Sequence, residues 1–178
     1  MGGSVRRRNM ADLQATEVLT VIAEISIALA GFSGIVVAFR QRGIEAWPPH
    51  ELIRLRFMLG IACVTLLFSL LPFVPHHLGA RTSATWELSS VVFSAGLFGV
   101  SFVAYVGTKA YLNRLSRAWF FTYLTGSIAS ALGLLCNGLG VFGAAYPGVY
   151  LVGLGWLLFF STTLFVRLVL APSLSLEA

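Results

Sequence analysis

Long stretches of apolar residues dominate the pattern of hydrophobic and polar positions along the chain. A bilayer core about 30 Å thick is crossed by about 20 apolar residues in helical conformation. Five stretches have about that length, and polar residues rarely interrupt them. They cover residues 18–39, 57–74, 88–108, 118–140 and 149–170. The pattern predicts five transmembrane helices, or four if one stretch lies in the membrane interface instead.

Helices of a soluble core are the competing interpretation of these five stretches. Such helices carry a polar face toward water, and the five stretches have almost none. Trp47, Trp86 and Trp119 fall within a few residues of the predicted membrane entries, where the amphipathic indole ring is favoured. The pattern therefore indicates an all-α integral membrane protein of an inner or plasma membrane.

Short links join the five stretches and determine how the helices are arranged. The links contain about 17, 13, 9 and 8 residues, so sequential helices are expected to pack antiparallel as an up-down bundle. This organisation predicts a single transmembrane domain over 18–170, a basic tail over 1–17 and a short tail over 171–178. A cleavable signal peptide also begins with bases before an apolar run. Because this run is about 22 residues long and contains Glu24, we expect a retained span.

Composition supports a membrane location and excludes several other classes of protein. Hydrophobic residues make up 57% of the 178 residues and charged residues 11%, whereas soluble domains contain about 25% charged residues. A soluble enzyme, a disordered chain and a disulfide-stabilised scaffold are therefore not expected. Cys63 and Cys136 lie at different predicted depths, so we do not expect a disulfide between them.

The twelve basic residues are distributed unequally between the two sides of the predicted bundle. Eight fall on the side of the C-terminus, namely Arg40, Arg42, Arg54, Arg56, Lys109, Arg114, Arg117 and Arg167. Four fall on the other side, namely Arg6, Arg7, Arg8 and Arg81. Because short cytoplasmic loops are enriched in Lys and Arg, the count predicts a cytoplasmic C-terminus. The three consecutive arginines near the N-terminus favour the opposite orientation.

The loop arginines are expected to have a topological role. Their side chains can extend to the interface and contact anionic lipid headgroups on the cytoplasmic face. A specific ligand for Arg54, Arg56 or Arg167 is the less favoured alternative. Because the bases are spread over separate loops rather than one long basic segment, nucleic acid is not an expected partner.

Glu24 is the only ionisable residue deep within a predicted span. An acid there costs on the order of 2.5–3.5 kcal/mol, so such residues usually face the interior of the bundle. At about 100° per residue, Glu24 shares a helix face with Glu17, Thr20, Ala28, Gly31 and Ile35. We interpret this face as a polar cavity or a tight helix contact. Glu24 is then either a proton or cation site or a hydrogen-bonded structural glutamate.

Asn137 is the expected partner of Glu24. Its amide can donate to the carboxylate, and an amide in lipid needs a partner. Hydroxyl residues in the outer halves of other spans are expected at the same depth, namely Ser69, Ser90 and Ser94. The sequence therefore predicts an intramembrane polar site around Glu24 and Asn137, with Glu17 and Thr20 as further neighbours.

Small residues recur every four positions in the first span. Ser26, Ala30, Gly34 and Ala38 form this row, and rows of small residues allow helices to approach closely. The spacing predicts a helix contact, either within the chain or between copies of the chain.

No catalytic or metal-binding motif is recognisable in the sequence. Phosphate-binding loops, nucleophile elbows and paired aspartates are absent, and the adjacent His76 and His77 lack further ligands at zinc spacing. We therefore expect no enzymatic activity, no cofactor and no metal site. The leading hypothesis is an oligomeric channel or small transport component. The alternative is a membrane scaffold or an accessory subunit of a larger membrane complex.

Overall fold

The computed structural model describes residues 2–39, 49–108, 114–141 and 146–174. Side chains are described for 13–38, 51–106, 117–141 and 146–170. Within these ranges the secondary structure is helical, without strands. The helices are α1 (Gly2–Phe39), α2 (Pro49–Leu70), α3 (Phe73–His77), α4 (Thr82–Thr108), α5 (Arg114–Gly138) and α6 (Pro147–Leu174).

Five of the helices contain segments long and apolar enough to cross a membrane. These segments are Leu13–Ala38, Glu51–His77, Thr82–Val106, Arg117–Gly138 and Pro147–Leu170. Each one overlaps a stretch that the hydrophobic pattern selected. The all-α fold and the number of long apolar helices are therefore confirmed within the described residues.

The helix boundaries differ from the predicted ones for two reasons. Prolines begin or interrupt helices, and one helix continues beyond its apolar stretch. Pro49 begins α2, where its missing N–H costs nothing and its fixed φ suits the first turn. The second apolar stretch is divided, because α2 ends at Leu70 and Pro72 precedes the short α3. A proline inside a helix removes a hydrogen bond and clashes with the preceding turn. At the N-terminus, the residues expected as a separate tail are helical and continue into α1 from Gly2.

Two helix pairs, α1 with α2 and α4 with α5, are joined by α6. The helix α6 packs against α1, α2 and α5. The Tyr150 hydroxyl donates to the Phe68 carbonyl at 2.6 Å, and the Ser161 hydroxyl donates to the Met58 carbonyl at 3.3 Å. Tyr150, near the start of α6, thus contacts the end of α2, and Ser161, farther along α6, contacts an earlier residue of α2. These two helices therefore run in opposite directions.

The same opposed direction relates α4 to α5. The Ser94 hydroxyl donates to the Ala131 carbonyl at 2.7 Å. Toward the start of α4, Gly138 lies so close to the Glu87 carbonyl that an added Cβ would stand 3.0 Å from it. Glycine at this position permits the close approach of the two backbones.

Aromatic rings fill the interior between α2, α4, α5 and α6. Phe68 stacks on Phe93 with ring centroids 4.5 Å apart, and Phe93 contacts Tyr150 at 5.1 Å. Trp156 lies against Gly126, where a Cβ would overlap its indole ring. Trp156, which lies far from the predicted interfaces, thus packs between helices. Cys63 and Cys136 are both free, as expected.

The buried seam of α1 follows a spacing of alternately four and three residues. Six buried residues have this spacing, namely Ala15, Leu19, Ile22, Ser26, Leu29 and Ser33, and Ala23 is buried beside them. This average spacing of about 3.5 residues keeps side chains on one side of a slightly supercoiled helix. A row at spacing four instead rotates by about 40° per step.

The predicted packing row of small residues therefore leaves the seam after its first member. Ser26 is buried, Ala30 is half-buried, and Gly34 and Ala38 are exposed. Because the four-residue spacing accumulates this rotation, only the first half of the row is buried within the chain. A contact of the second half between copies of the chain stays a prediction.

Candidate functional site

The polar face of α1 lies on the outside of the chain. The six residues grouped from the sequence are all exposed, namely Glu17, Thr20, Glu24, Ala28, Gly31 and Ile35. They lie opposite the buried seam. The expectation that Glu24 faces the interior of its own bundle is therefore wrong, and the described chain forms no cavity over this face.

Glu24 lies at the middle of the apolar segment of α1. The segment Leu13–Ala38 is centred between residues 25 and 26, so Glu24 is about 2 Å from the centre by helical rise. Within the described residues, the Glu24 side chain forms no hydrogen bond and no ion pair. Nearby, the Thr20 hydroxyl donates to the Thr16 carbonyl of its own helix at 3.1 Å. The carboxyl group of Glu24 is thus available to a group from outside the chain.

Asn137 has an entirely internal set of hydrogen bonds. Its Nδ2 donates to the Ser90 hydroxyl at 3.0 Å and to the Tyr146 carbonyl at 3.2 Å. Its Oδ1 accepts from the Tyr146 N–H at 2.9 Å. Both amide hydrogens and the amide oxygen of Asn137 are therefore used. They connect the end of α5 to Ser90, near the beginning of α4, and to Tyr146, the residue before α6.

The predicted pairing of Glu24 with Asn137 is wrong. Asn137 is the next-to-last residue of α5 and lies about 14 Å from the centre of its apolar segment, by helical rise. The two residues also lie on helices with different neighbours, since α1 packs against α2 and α6, and α5 packs against α4 and α6. The helix α5 ends at Gly138, and Gly140 continues the turn with a φ of 69°. This early end places Asn137 at the rim of the bundle.

The serines expected around Glu24 bond elsewhere. Ser90 is the partner of Asn137, and Ser94 bonds to the backbone of α5. Ser69 is buried and donates to the Leu66 carbonyl at 2.8 Å. The predicted polar site thus divides into an internal network on α4, α5 and α6 and an exposed acidic face on α1.

Basic residues of three helices occur near the opposite end of α6. The Arg167 guanidinium carbon lies 3.8 Å from the centroid of the Trp119 ring, and Arg54 lies within Coulombic range of Arg167. Arg56 and Arg117 are exposed. The side chains of Arg40, Arg42, Lys109 and Arg114 fall outside the described residues.

The contact of Arg167 with Trp119 was not predicted from the sequence. The two residues lie 48 positions apart on helices α5 and α6, and each was interpreted separately as an interfacial residue. An interfacial Trp and a snorkelling Arg on adjacent antiparallel helices are expected at one depth, which is the signal that could have found the contact.

Among the described residues, no group of three or more His, Cys, Asp or Glu side chains is placed to hold a metal ion. His76 and His77 contact one another with ring centroids 5.9 Å apart, and the Nδ1 of His77 lies 2.8 Å from the Phe73 carbonyl. Comparisons of the chain with protein-family models, curated proteins and solved structures find no match. The function is therefore inferred from the geometry of the chain itself.

Proposed function

We propose that the protein is an integral protein of an inner or plasma membrane whose five long helices cross the bilayer as an antiparallel up-down bundle. Several copies assemble through the outward polar face of α1 into an oligomeric channel or small transport component. The observation that carries this proposal is the exposure of Glu24 at the centre of an apolar helix. An acid facing lipid there costs on the order of 2.5–3.5 kcal/mol, and burial against other copies removes it from lipid.

The polar residues of this face favour an ion pathway between the copies rather than a helix contact that excludes water. A ring of symmetry-related copies directs the same face of each copy toward one axis. Glu17, Thr20 and Glu24 would then surround that axis, while Ala28 and Gly31 allow the helices to approach closely. Rings of carboxylates are typical of cation pathways, so the transported species is a cation or a proton.

Flux through purified protein in liposomes tests this function. Wild-type protein is expected to conduct cations or protons, and Glu24→Gln is expected to reduce the flux about tenfold, as for a loss of roughly 1.4 kcal/mol. Glu87→Gln is the matched control, because Glu87 is a half-buried acid of α4 remote in sequence from the proposed path. Equal flux in wild type and Glu24→Gln would remove Glu24 from the mechanism.

A non-enzymatic scaffold or accessory subunit is the second candidate, and the same exposed face favours it. A different membrane protein with a basic or amide side chain at the depth of Glu24 would also cover the acid. Extraction in mild detergent separates the candidates. A complex containing only this chain supports the channel, whereas a stoichiometric second protein together with no flux supports the accessory subunit.

The orientation in the membrane is part of the proposal. The distribution of Lys and Arg supports a cytoplasmic C-terminus. Reporter fusions at each terminus test it, with a cytoplasmic signal expected from the C-terminal fusion alone. A cytoplasmic N-terminus would overturn the orientation and leave the outward face of α1 unchanged.

A further inference from the structure

Two arginines of different helices lie within Coulombic range of one another at one end of the bundle. The residues that follow them, Leu55 on α2 and Leu168 on α6, are buried in one apolar cluster with Met58. This cluster fixes the two backbones next to each other. Arg54 and Arg167 are consequently close enough for their like charges to repel.

Among the described residues, no acid forms an ion pair with either guanidinium. Glu51 lies one helical turn before Arg54 and has an interaction of its own. Both arginines are half-buried, so solvent screens their charges less than it would on a fully exposed loop.

Trp119 orients one of the two guanidinium groups. It lies on α5, beneath Arg167, with 3.8 Å between the guanidinium carbon and the ring centroid. A stacked guanidinium retains its in-plane N–H donors for another ligand, because the ring contacts only its face. Three helices thus contribute to one positively charged site at the level where interfacial tryptophans lie.

We propose that Arg54, Arg167 and Trp119 form a binding site for a phosphate-bearing anion. Guanidinium groups bind phosphoryl oxygens through paired charge-assisted hydrogen bonds. The negative charge of an anion between the two arginines would also offset their mutual repulsion. The site uses no residue of the outward face of α1, so it is independent of the proposed channel.

Binding of phosphatidylglycerol and phosphatidylcholine to the detergent-solubilised full chain tests the site, with native mass spectrometry as the readout. Wild-type protein is expected to retain phosphatidylglycerol in preference to phosphatidylcholine. Arg54→Gln and Arg167→Gln are each expected to weaken that retention about tenfold, which corresponds to roughly 1.4 kcal/mol, because each loses charge-assisted hydrogen bonds to the phosphoryl oxygens. Arg56→Gln is the matched control, because Arg56 is an exposed arginine on the opposite side of α2 and should change retention less than about twofold.

A second arm identifies the source of the phosphoryl group. Inorganic phosphate is added at constant ionic strength against chloride. Displacement of the bound lipid identifies a soluble phosphate as a ligand, and persistence of the lipid identifies the headgroup. Both results support the site.

Two results would overturn it. One is equal loss of phosphatidylglycerol in Arg56→Gln and in the other two variants, which would show a diffuse charge effect. The other is no difference between any variant and wild type. Arg54→Lys and Arg167→Lys keep the charge and lose the planar fork. They should give intermediate retention, and they keep the test decisive if a Gln variant fails to fold.

Discussion

Asn137 and Glu24 are both polar residues of long apolar helices, and their surroundings are opposite. All hydrogen-bonding groups of the Asn137 amide are used within the chain, by Ser90 and Tyr146. The Glu24 carboxyl group has no partner among the described residues and lies on the outside at mid-segment. A polar group in lipid needs a partner. Asn137 therefore connects helices within the chain, whereas in the proposed membrane location Glu24 requires a partner from outside the described residues.

The largest expected effect is the loss of stability caused by a substitution at Asn137. Asn137→Leu removes three hydrogen bonds and leaves the Tyr146 N–H and the Ser90 hydroxyl unpaired, while the Tyr146 carbonyl still accepts from the Val149 N–H. We expect the free energy of unfolding to fall by about 2–4 kcal/mol. Denaturation with SDS, followed by loss of helical signal, measures the change. Thr125→Val on the exposed side of α5 is the control, and an equal loss in both variants would contradict the structural role.

Overpacking of the interior should have the next largest effect. Gly126→Val places a side chain where the Trp156 ring lies, so we expect a loss of about 1–3 kcal/mol. Gly155→Val is the matched control on α6, since a Cβ there meets nothing within 4 Å. Thermal unfolding in detergent compares the two. Equal stability of both variants would show that α5 and α6 are not packed as described.

The outward face of α1 should respond differently to the same substitution. A Cβ on Gly31 meets nothing within 4 Å, so Gly31→Val should leave the stability of the single chain unchanged. It should weaken association between copies by on the order of 1–2 kcal/mol, because the larger side chain separates the facing helices. Energy transfer between labelled copies at increasing lipid dilution measures this. Gly99→Val, an exposed glycine of α4, should leave association intact, and an equal loss there would contradict the assignment of the interface to α1.

The smallest of the four predicted effects is that of Glu24→Gln on the stability of the chain. Because the carboxyl group is exposed and has no described partner, the free energy of unfolding of the monomer should change by less than about 0.5 kcal/mol. The SDS denaturation used for Asn137→Leu gives the comparison directly. A loss similar to that of Asn137→Leu would show that Glu24 has a partner within its own chain.

The helices could be predicted from the sequence because length and apolarity suffice to define them. The start of α2 at Pro49 lies eight residues before the predicted stretch, because apolarity marks only residues 57–74 whereas the proline suits the first helical turn. The grouping of Glu17, Thr20 and Glu24 on one face required only helical periodicity.

The direction of that face could not be predicted in the same way. For a helix between lipid and protein, both sides of the environment are apolar, so hydrophobicity does not distinguish inside from outside. The position of Asn137 was missed for a different reason. The apolar pattern continues to residue 140, whereas the turn at Gly140 ends α5 at Gly138.

The position of α6 between the two helix pairs has a consequence for biosynthesis. A ribosome makes α1, α2, α4 and α5 before it makes α6, and α6 provides the backbone carbonyl contacts from Tyr150 to Phe68 and from Ser161 to Met58. The Phe68 ring of α2 also lies against Phe93 and Gly96 of α4. If the bundle is inserted into a bilayer as proposed, the two pairs are expected to enter it as separate hairpins and to dock when α6 arrives. Nascent chains that stall before α6 are complete would expose unpaired interior surfaces to quality-control proteases.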